Sequence, residues 1–201
     1  MSKSEQDDQL AISVLTVTGA IAGALMRVER ANFVPGTGGR RETTAEHSFH
    51  LALVACLILP LFPELDDACV LRYVIVHDIA EARAGDVSVY APEEERIQKA
   101  EAEYRALAYM RGLGSRIAES IISLAQRYTE QASRESQFVY ALDKIVPYFL
   151  VLAGSGHHAN PTPEQYLATE RRARAQIESA FPDLLPLFEH AAEGVRSRVG
   201  A

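Results

Sequence analysis

Along the chain, stretches in which apolar residues recur every three or four positions are separated by short stretches rich in Gly, Pro and Asp. A period near 3.6 marks helices that bury one face, and the breaks mark their connections. Leu10, Val14, Val17, Ile21 and Leu25 predict a first helix over about Gln9 to Arg27. Glu29 to Thr44 holds Pro35, Gly36, Gly38 and Gly39 and reads as a long loop. Thr43 or Thr44 can cap the next helix, which carries Glu46, His47 and His50 and runs through apolar residues to Leu59, where Pro60 stops it. Asp66 or Asp67 can cap a helix through Val70, Tyr73, Val74 and Val76.

Pro92, followed by Glu93, Glu94 and Glu95, predicts the start of a long charged helix to about Arg111, with a thin apolar stripe and one wet face. Gly112 and Gly114 break it. Ile117, Ile121, Ile122 and Leu124 predict a helix ending near Tyr128, and Ser133 caps another from Arg134 to about Leu152, in which Pro147 predicts a kink. After a loop from Gly154 to Pro163 come two terminal helices, about Pro163 to Ala180 and Pro182 to Val199. With no alternating strand pattern and no internal repeat, the expected fold is an all-α orthogonal bundle.

A length of 201 residues fits one domain over residues 1–201, and 48% hydrophobic with 23% charged residues is ordinary for a globular protein. The net charge of −7 argues against a nucleic-acid polymer as partner, since phosphate backbones are held by Lys and Arg. A small anion needs only a local group of cations, and Arg30, Arg40 and Arg41 in the 29–44 segment offer one. Glu5, Asp7 and Asp8 precede the first apolar run, the wrong flank for a secretory signal, and the uncharged run from Ser48 to Pro63 is shorter than a membrane span. The expectation is a cytoplasmic protein without a membrane segment. Cys56 and Cys69 lie in apolar stretches without zinc-site spacing and are expected to be buried thiols.

Chemistry concentrates between Val74 and Asp86, where an apolar run ends in His77-Asp78, then Glu81, then Gly85-Asp86. On a continuous helix His77, Asp78 and Glu81 would share one face. An imidazole beside a carboxylate is a good ligand pair for a divalent transition metal, and a third acid could handle a proton. Two further ligands must come from elsewhere. His47 opens an apolar helix, and Asp143 is the one acid in the apolar run Phe138 to Val146. A buried carboxylate needs a cation; a metal would supply it, whereas Lys144 is a weaker partner because adjacent helical residues face apart. His50, one turn from His47, reads as a core residue or as support for the ligands, and His157 and His158 as solvated loop residues.

The ordered set Glu46-His47, His77-Asp78-Ile79-Ala80-Glu81, Gly85-Asp86 and Asp143 resembles the HD-domain superfamily of metal-dependent phosphohydrolases, and its 5′-deoxynucleotidase branch in particular, over about residues 27–151. The resemblance implies an all-α HD-domain bundle, usually a homodimer, in which His47, His77, Asp78 and Asp143 hold one divalent ion such as Co²⁺, Mn²⁺ or Mg²⁺. It implies Glu81 as the acid that orients or deprotonates the attacking water, and Asp86 as a second acid in the phosphate pocket. The implied activity is hydrolysis of deoxynucleoside 5′-monophosphates to deoxynucleosides and phosphate. Alternatives are a deoxynucleoside triphosphate hydrolase of the same superfamily and a nucleotide-binding module with a vestigial site. Arg30 is the first candidate for the phosphate and Arg40 the second. The branch carries a tryptophan before the first metal histidine; this chain has none, and Phe33 is the nearest replacement. No histidine lies between Ile79 and Gly156, so the expected centre is mononuclear.

Overall fold

A computed structural model describes residues 3–111, 116–155 and 161–199. Helix α1 (Lys3–Thr16) passes through a π turn at Val17–Ala22 into the short α2 (Gly23–Leu25). Strands β1 (Glu29–Phe33) and β2 (Arg41–Thr43) precede α3 (Thr44–Ile58), α4 (Asp67–Val76), the single turn α5 (Glu81–Ala84) and α6 (Glu93–Arg111). Then follow α7 (Arg116–Thr129), α8 (Arg134–Leu150), α9 (Pro163–Ala180) and α10 (Leu185–Val199). The fold class is all-α. Gly112, Gly114, His157 and His158 lie outside the described residues.

The 29–44 segment is a hairpin rather than an irregular loop. Glu29 stands opposite Thr43 and Phe33 opposite Arg41 in an antiparallel pair. Strands of five and three residues are too short to show a period of two, and the connection dominates the composition: Gly36, Gly38 and Gly39 all take positive φ, a conformation that other residues resist. The hairpin matters because it sends Arg30 inward.

Helix starts follow the sequence closely. Thr43 caps α3 by a reciprocal box, its Oγ1 accepting from the Glu46 N–H at 3.2 Å while its own N–H donates to Glu46 Oε2 at 2.9 Å. Asp66 Oδ1 accepts from the Cys69 N–H at 3.0 Å to open α4, and Ser133 opens α8. The core is built on α8, which packs against α3, α4, α7, α9 and α10 and buries Phe138, Val139, Ala141, Leu142 and Ile145 completely. Phe62, Phe138 and Phe181 meet edge to face with centroids 5.3–5.5 Å apart, tying the turn after α3 to α8 and to the entry of α10. Pro147 lies within α8, and the break comes later, in a π turn at Val151–Ser155 where Gly154 takes φ 94°.

Apolar composition did not always mean burial. Leu10 and Val14 are exposed, as are Phe49, Leu53, Leu57 and Leu61 along the outer side of α3 and its following turn. Cys56 shares that outer side and is exposed, and Cys69 is half-buried, so neither is the buried thiol expected. Helix α3 is apolar all round, so periodicity could not say which side faces the core. Glu5–Leu25, Thr44–Leu61 and Arg134–Gly154 reach the length and hydropathy of a membrane span, and the first of them holds most of the uncharged run from Gln9 to Met26. The latter two are bundle helices that carry His47 and Asp143 into the interior.

Candidate metal centre and catalytic cavity

Four elements converge on one point. Helix α4 ends at Val76, and the chain continues through tight turns, with the Ile79 N–H donating to Val76 O at 3.2 Å and the Glu81 N–H to Asp78 O at 3.0 Å. The continuous helix expected through Glu81 is therefore broken, and the turns rather than a helical face bring His77, Asp78 and Glu81 together. His77 Nδ1 lies 2.8 Å from the carbonyl of Val74. A carbonyl can only accept, so Nδ1 carries the proton and Nε2 is left for a ligand. His47 enters from α3 and Asp143 from α8, with His47 Nε2 2.8 Å from Asp143 Oδ1. His77 Nε2 stands 3.0 Å from Asp78 Oδ2 and 3.9 Å from Asp143 Oδ1.

One ligand atom from each of His47, His77, Asp78 and Asp143 lies within 4.8 Å of the other three. Two features fit this set to a divalent ion. His77 Nε2 is buried without a well-directed hydrogen bond. Burial pushes the His77 imidazolium pKa down, yet Asp78 and Asp143 override it and raise the value to about 9, so the pocket draws positive charge. Burial likewise opposes ionisation of Asp78, but His77 and Arg30 hold its carboxyl well below the usual range. Two imidazoles with two carboxylates suit a transition metal.

Glu81 is 1% exposed beside this cluster. Thr44 Oγ1 donates to its Oε2 at 2.8 Å and Lys99 Nζ to its Oε1 at 2.6 Å. Burial and the nearby Asp78 push its carboxyl up to about 8, against the pull of Lys99 and Arg30. Lys99 also reaches Asp86 Oδ1 at 3.3 Å. Asp86 follows Gly85, whose φ of 77° turns the chain sharply back after α5. Arg30 Nη1 lies 3.0 Å from Asp78 Oδ2 and 3.8 Å from Glu81 Oε2, and its Nε lies 3.7 Å from Glu42 Oε2. Glu42 in turn stands 3.8 Å from His47 Nδ1; burial raises its carboxyl to about 7 although Arg30 pulls it down.

The cluster opens onto a cavity of about 830 Å³, within the range of ligand sites. Arg30, Asp78, Glu81, Asp86, Lys99 and Asp143 line it. Arg40 does not: it forks onto the Glu46 carboxylate at 2.7 and 2.9 Å on the surface. Phe33 does not line it either, and the aromatic wall comes from Tyr90, Tyr148 and Tyr166. Lys144, discounted on spacing, folds back to place Nζ 2.6 Å from Asp143 Oδ2, because a long flexible stem can reach a neighbour that a short side chain cannot. His50 is half-buried, its Nδ1 unpaired against Glu42, Glu46 and the hairpin.

Sequence reasoning missed Glu42, Lys99, Lys144, Thr44 and the three tyrosines. Lys99 sits among glutamates on a helix whose polar side reads as solvated, yet that side faces the cavity. Thr44 follows the capping Thr43 and turns its hydroxyl to Glu81, a contact between segments 37 residues apart. Pro147 does not produce the expected kink, and lacking an N–H it removes the usual α-helical donor to the Asp143 carbonyl.

The family model described as "HD domain" matches residues 22–185. The human 5′-deoxynucleotidase HDDC2 (Homo sapiens) is 30% identical over 127 residues, covering 62% of this chain and 60% of that protein. The mouse 5′-deoxynucleotidase HDDC2 (Mus musculus) is 26% identical over 126 residues, 62% of this chain and 61% of its own. The chain thus spans about three-fifths of the length of these relatives. Among solved structures, a "Predicted metal-dependent phosphohydrolase" from Magnetospirillum magnetotacticum MS-1 superposes with a TM-score of 0.75 at 25% identity, covering 95% of this chain and 97% of its own. A conserved hypothetical protein from Pyrococcus furiosus, at 23% identity and a TM-score of 0.58 over 87% of this chain and 95% of its own, shares the fold. With a family match over residues 22–185 and the His and Asp side chains of its name gathered at one buried point, the chain belongs to the HD-domain family.

Proposed function

We propose that this chain is a metal-dependent phosphomonoesterase that converts deoxynucleoside 5′-monophosphates to deoxynucleosides and phosphate. The observation that carries the reading is the four-ligand cluster, with ligand atoms within 4.8 Å of one another, whose Asp78 and Asp143 line a cavity together with Glu81, Asp86 and Arg30. A divalent ion held by His47, His77, Asp78 and Asp143 would polarise a phosphoryl oxygen and lower the pKa of water at that point.

The chain's own residues supply the rest. Glu81, aimed by Thr44 and Lys99, orients the attacking water and takes its proton. As the new P–O bond forms, the bond from phosphorus to the 5′ oxygen breaks, and that oxygen leaves as the nucleoside hydroxyl with the proton that Glu81 drew from the water. Asp86, held by the same lysine, faces the phosphate side of the cavity. Arg30 neutralises the phosphate, exchanging its contacts with Asp78 and Glu81 for a bidentate grip on phosphoryl oxygens. Tyr90, Tyr148 and Tyr166 offer the stacking surface that Phe33 does not. The working form is a homodimer, supported by the exposed apolar stripe of Phe49, Leu53, Leu57 and Leu61 along the outer side of α3 and its following turn.

The decisive experiment measures phosphate release from deoxy- and ribonucleoside mono- and triphosphates with Co²⁺, Mn²⁺ or Mg²⁺ and with EDTA. Metal-dependent phosphate from deoxymonophosphates is the expected result. Tripolyphosphate from deoxynucleoside triphosphates would move the chain to α-phosphorus hydrolysis instead, and no product with any ion would sink the enzyme reading.

A further inference from the structure

Part of the cavity carries charge that monophosphate hydrolysis leaves unused. Arg96 from α6 and Arg172 from α9 both line it, arriving from helices far apart in sequence. Among the described residues neither guanidinium is ion-paired with a carboxylate. Arg96 Nε is buried without a hydrogen-bond partner, whereas Arg172 Nη2 donates to the carbonyl of Val89 at 2.5 Å, which fixes its fork. Burial and the neighbouring Arg96 push the Arg172 pKa down, and the acid acting on it, Glu93, lies on the exposed first turn of α6. Two like charges facing one cavity repel, and an anion between them relieves both.

The lining of the cavity extends well beyond the metal ligands. Asp143, Pro147 and Val151 line the cavity along successive turns, about 12 Å of axial length at 1.5 Å per residue. Tyr148, whose electrostatic neighbours include Tyr90 and Arg172, is about 7.5 Å along that axis from Asp143. A sugar therefore has room to lie against the tyrosines with one phosphate at the cluster and another at the arginines.

We propose that Arg96 and Arg172 form a second anion-binding subsite for a phosphate other than the one cleaved, so that the favoured ligand is a deoxynucleotide carrying two phosphate groups. As a statement about substrate this rests on the hydrolase reading above; the subsite itself does not.

Calorimetry in EDTA tests the subsite without turnover. The probes are deoxyadenosine 5′-monophosphate, its 3′,5′-bisphosphate and its 5′-diphosphate. The unmodified protein is expected to bind a doubly phosphorylated probe at least about tenfold tighter than the monophosphate. A gain confined to the bisphosphate places the second phosphate on the sugar's 3′ side, and one confined to the diphosphate places it on the 5′ chain; either supports the subsite. Arg96→Met and Arg172→Met are each expected to bring that ratio towards one. Equal affinity for all three probes in the unmodified protein, or a ratio that survives both substitutions, would overturn the proposal. The same probes are then assayed for phosphate release with metal. No release from any of them alongside an intact affinity ratio would reject the hydrolase reading and leave the subsite standing.

Discussion

Lys99 Nζ sits 2.6 Å from Glu81 Oε1 and 3.3 Å from Asp86 Oδ1, so one partly buried ammonium holds two acids of the candidate site at once. Glu81 is raised to about 8 by burial first and Asp78 second, and Lys99 is the strongest influence lowering it. Removing the lysine therefore raises the Glu81 pKa further, and its carboxylate form is present only at higher pH. Lys99→Met should shift the acidic limb of the pH–rate profile upward and lower turnover at neutral pH while metal content stays at the wild-type level. Breaking the pair should also lower stability, most at high pH where the Glu81 carboxyl is ionised, read from denaturant unfolding. An unmoved acidic limb would remove Lys99 from its positioning role.

Ligand and proton-handling roles separate by elemental analysis. His47→Ala and Asp143→Ala each take one of four ligands from the cluster and should leave substoichiometric metal after dialysis. Glu81→Gln keeps all four and should retain the ion while turnover falls by about 10²- to 10⁴-fold. Wild-type turnover in Glu81→Gln would mean that another group handles the water.

The two arginines proposed for phosphate now make opposite predictions. Arg30 lies at the cluster, and Arg30→Ala should raise KM by roughly tenfold to a hundredfold, the scale of a lost hydrogen bond to a charged group. Arg40 is engaged with Glu46 outside the cavity, and Arg40→Ala should move KM by no more than about twofold. Steady-state kinetics on the two variants decides between them.

The same Arg40–Glu46 pair sets an acid-stability signature. The Arg40 hydrogen bond, with help from Thr43, lowers the Glu46 pKa from 4.5 to about 2. Because the folded value lies below the unfolded one, the unfolded chain binds more protons in that interval. The contribution is complete above pH 4.5 and disappears as the pH falls towards 2. Melting curves should therefore show a shallower acid loss for Glu46→Gln than for the wild type, starting from a less stable protein at neutral pH.

Much of this could be read from residue order. Thr43, Asp66 and Ser133 cap helices where a short side-chain acceptor precedes an apolar run, because capping is local chemistry. His47, His77, Asp78 and Asp143 were legible because polar groups in apolar runs need a reason. What stayed hidden depends on how distant segments meet. Lys99 and Arg96 lie on a side of α6 that would be solvated were α5, α8 and α9 not opposite it. The hairpin that carries Arg30 inward is too short to have a period, and the Tyr148 and Tyr166 rings approach to 6.3 Å only when α8 and α9 pack.

All four cluster residues, and Glu81 with them, have been synthesised by residue 143, whereas α9 does not begin until Pro163. Yet Tyr166, Thr169, Arg172 and Gln176 of that later helix wall the same cavity. A substitution in the α9 segment therefore changes one wall of the cavity without replacing a cluster residue or Glu81. One wall of the cavity can thus drift by changes confined to one helix while the His–Asp cluster and Glu81 are inherited intact.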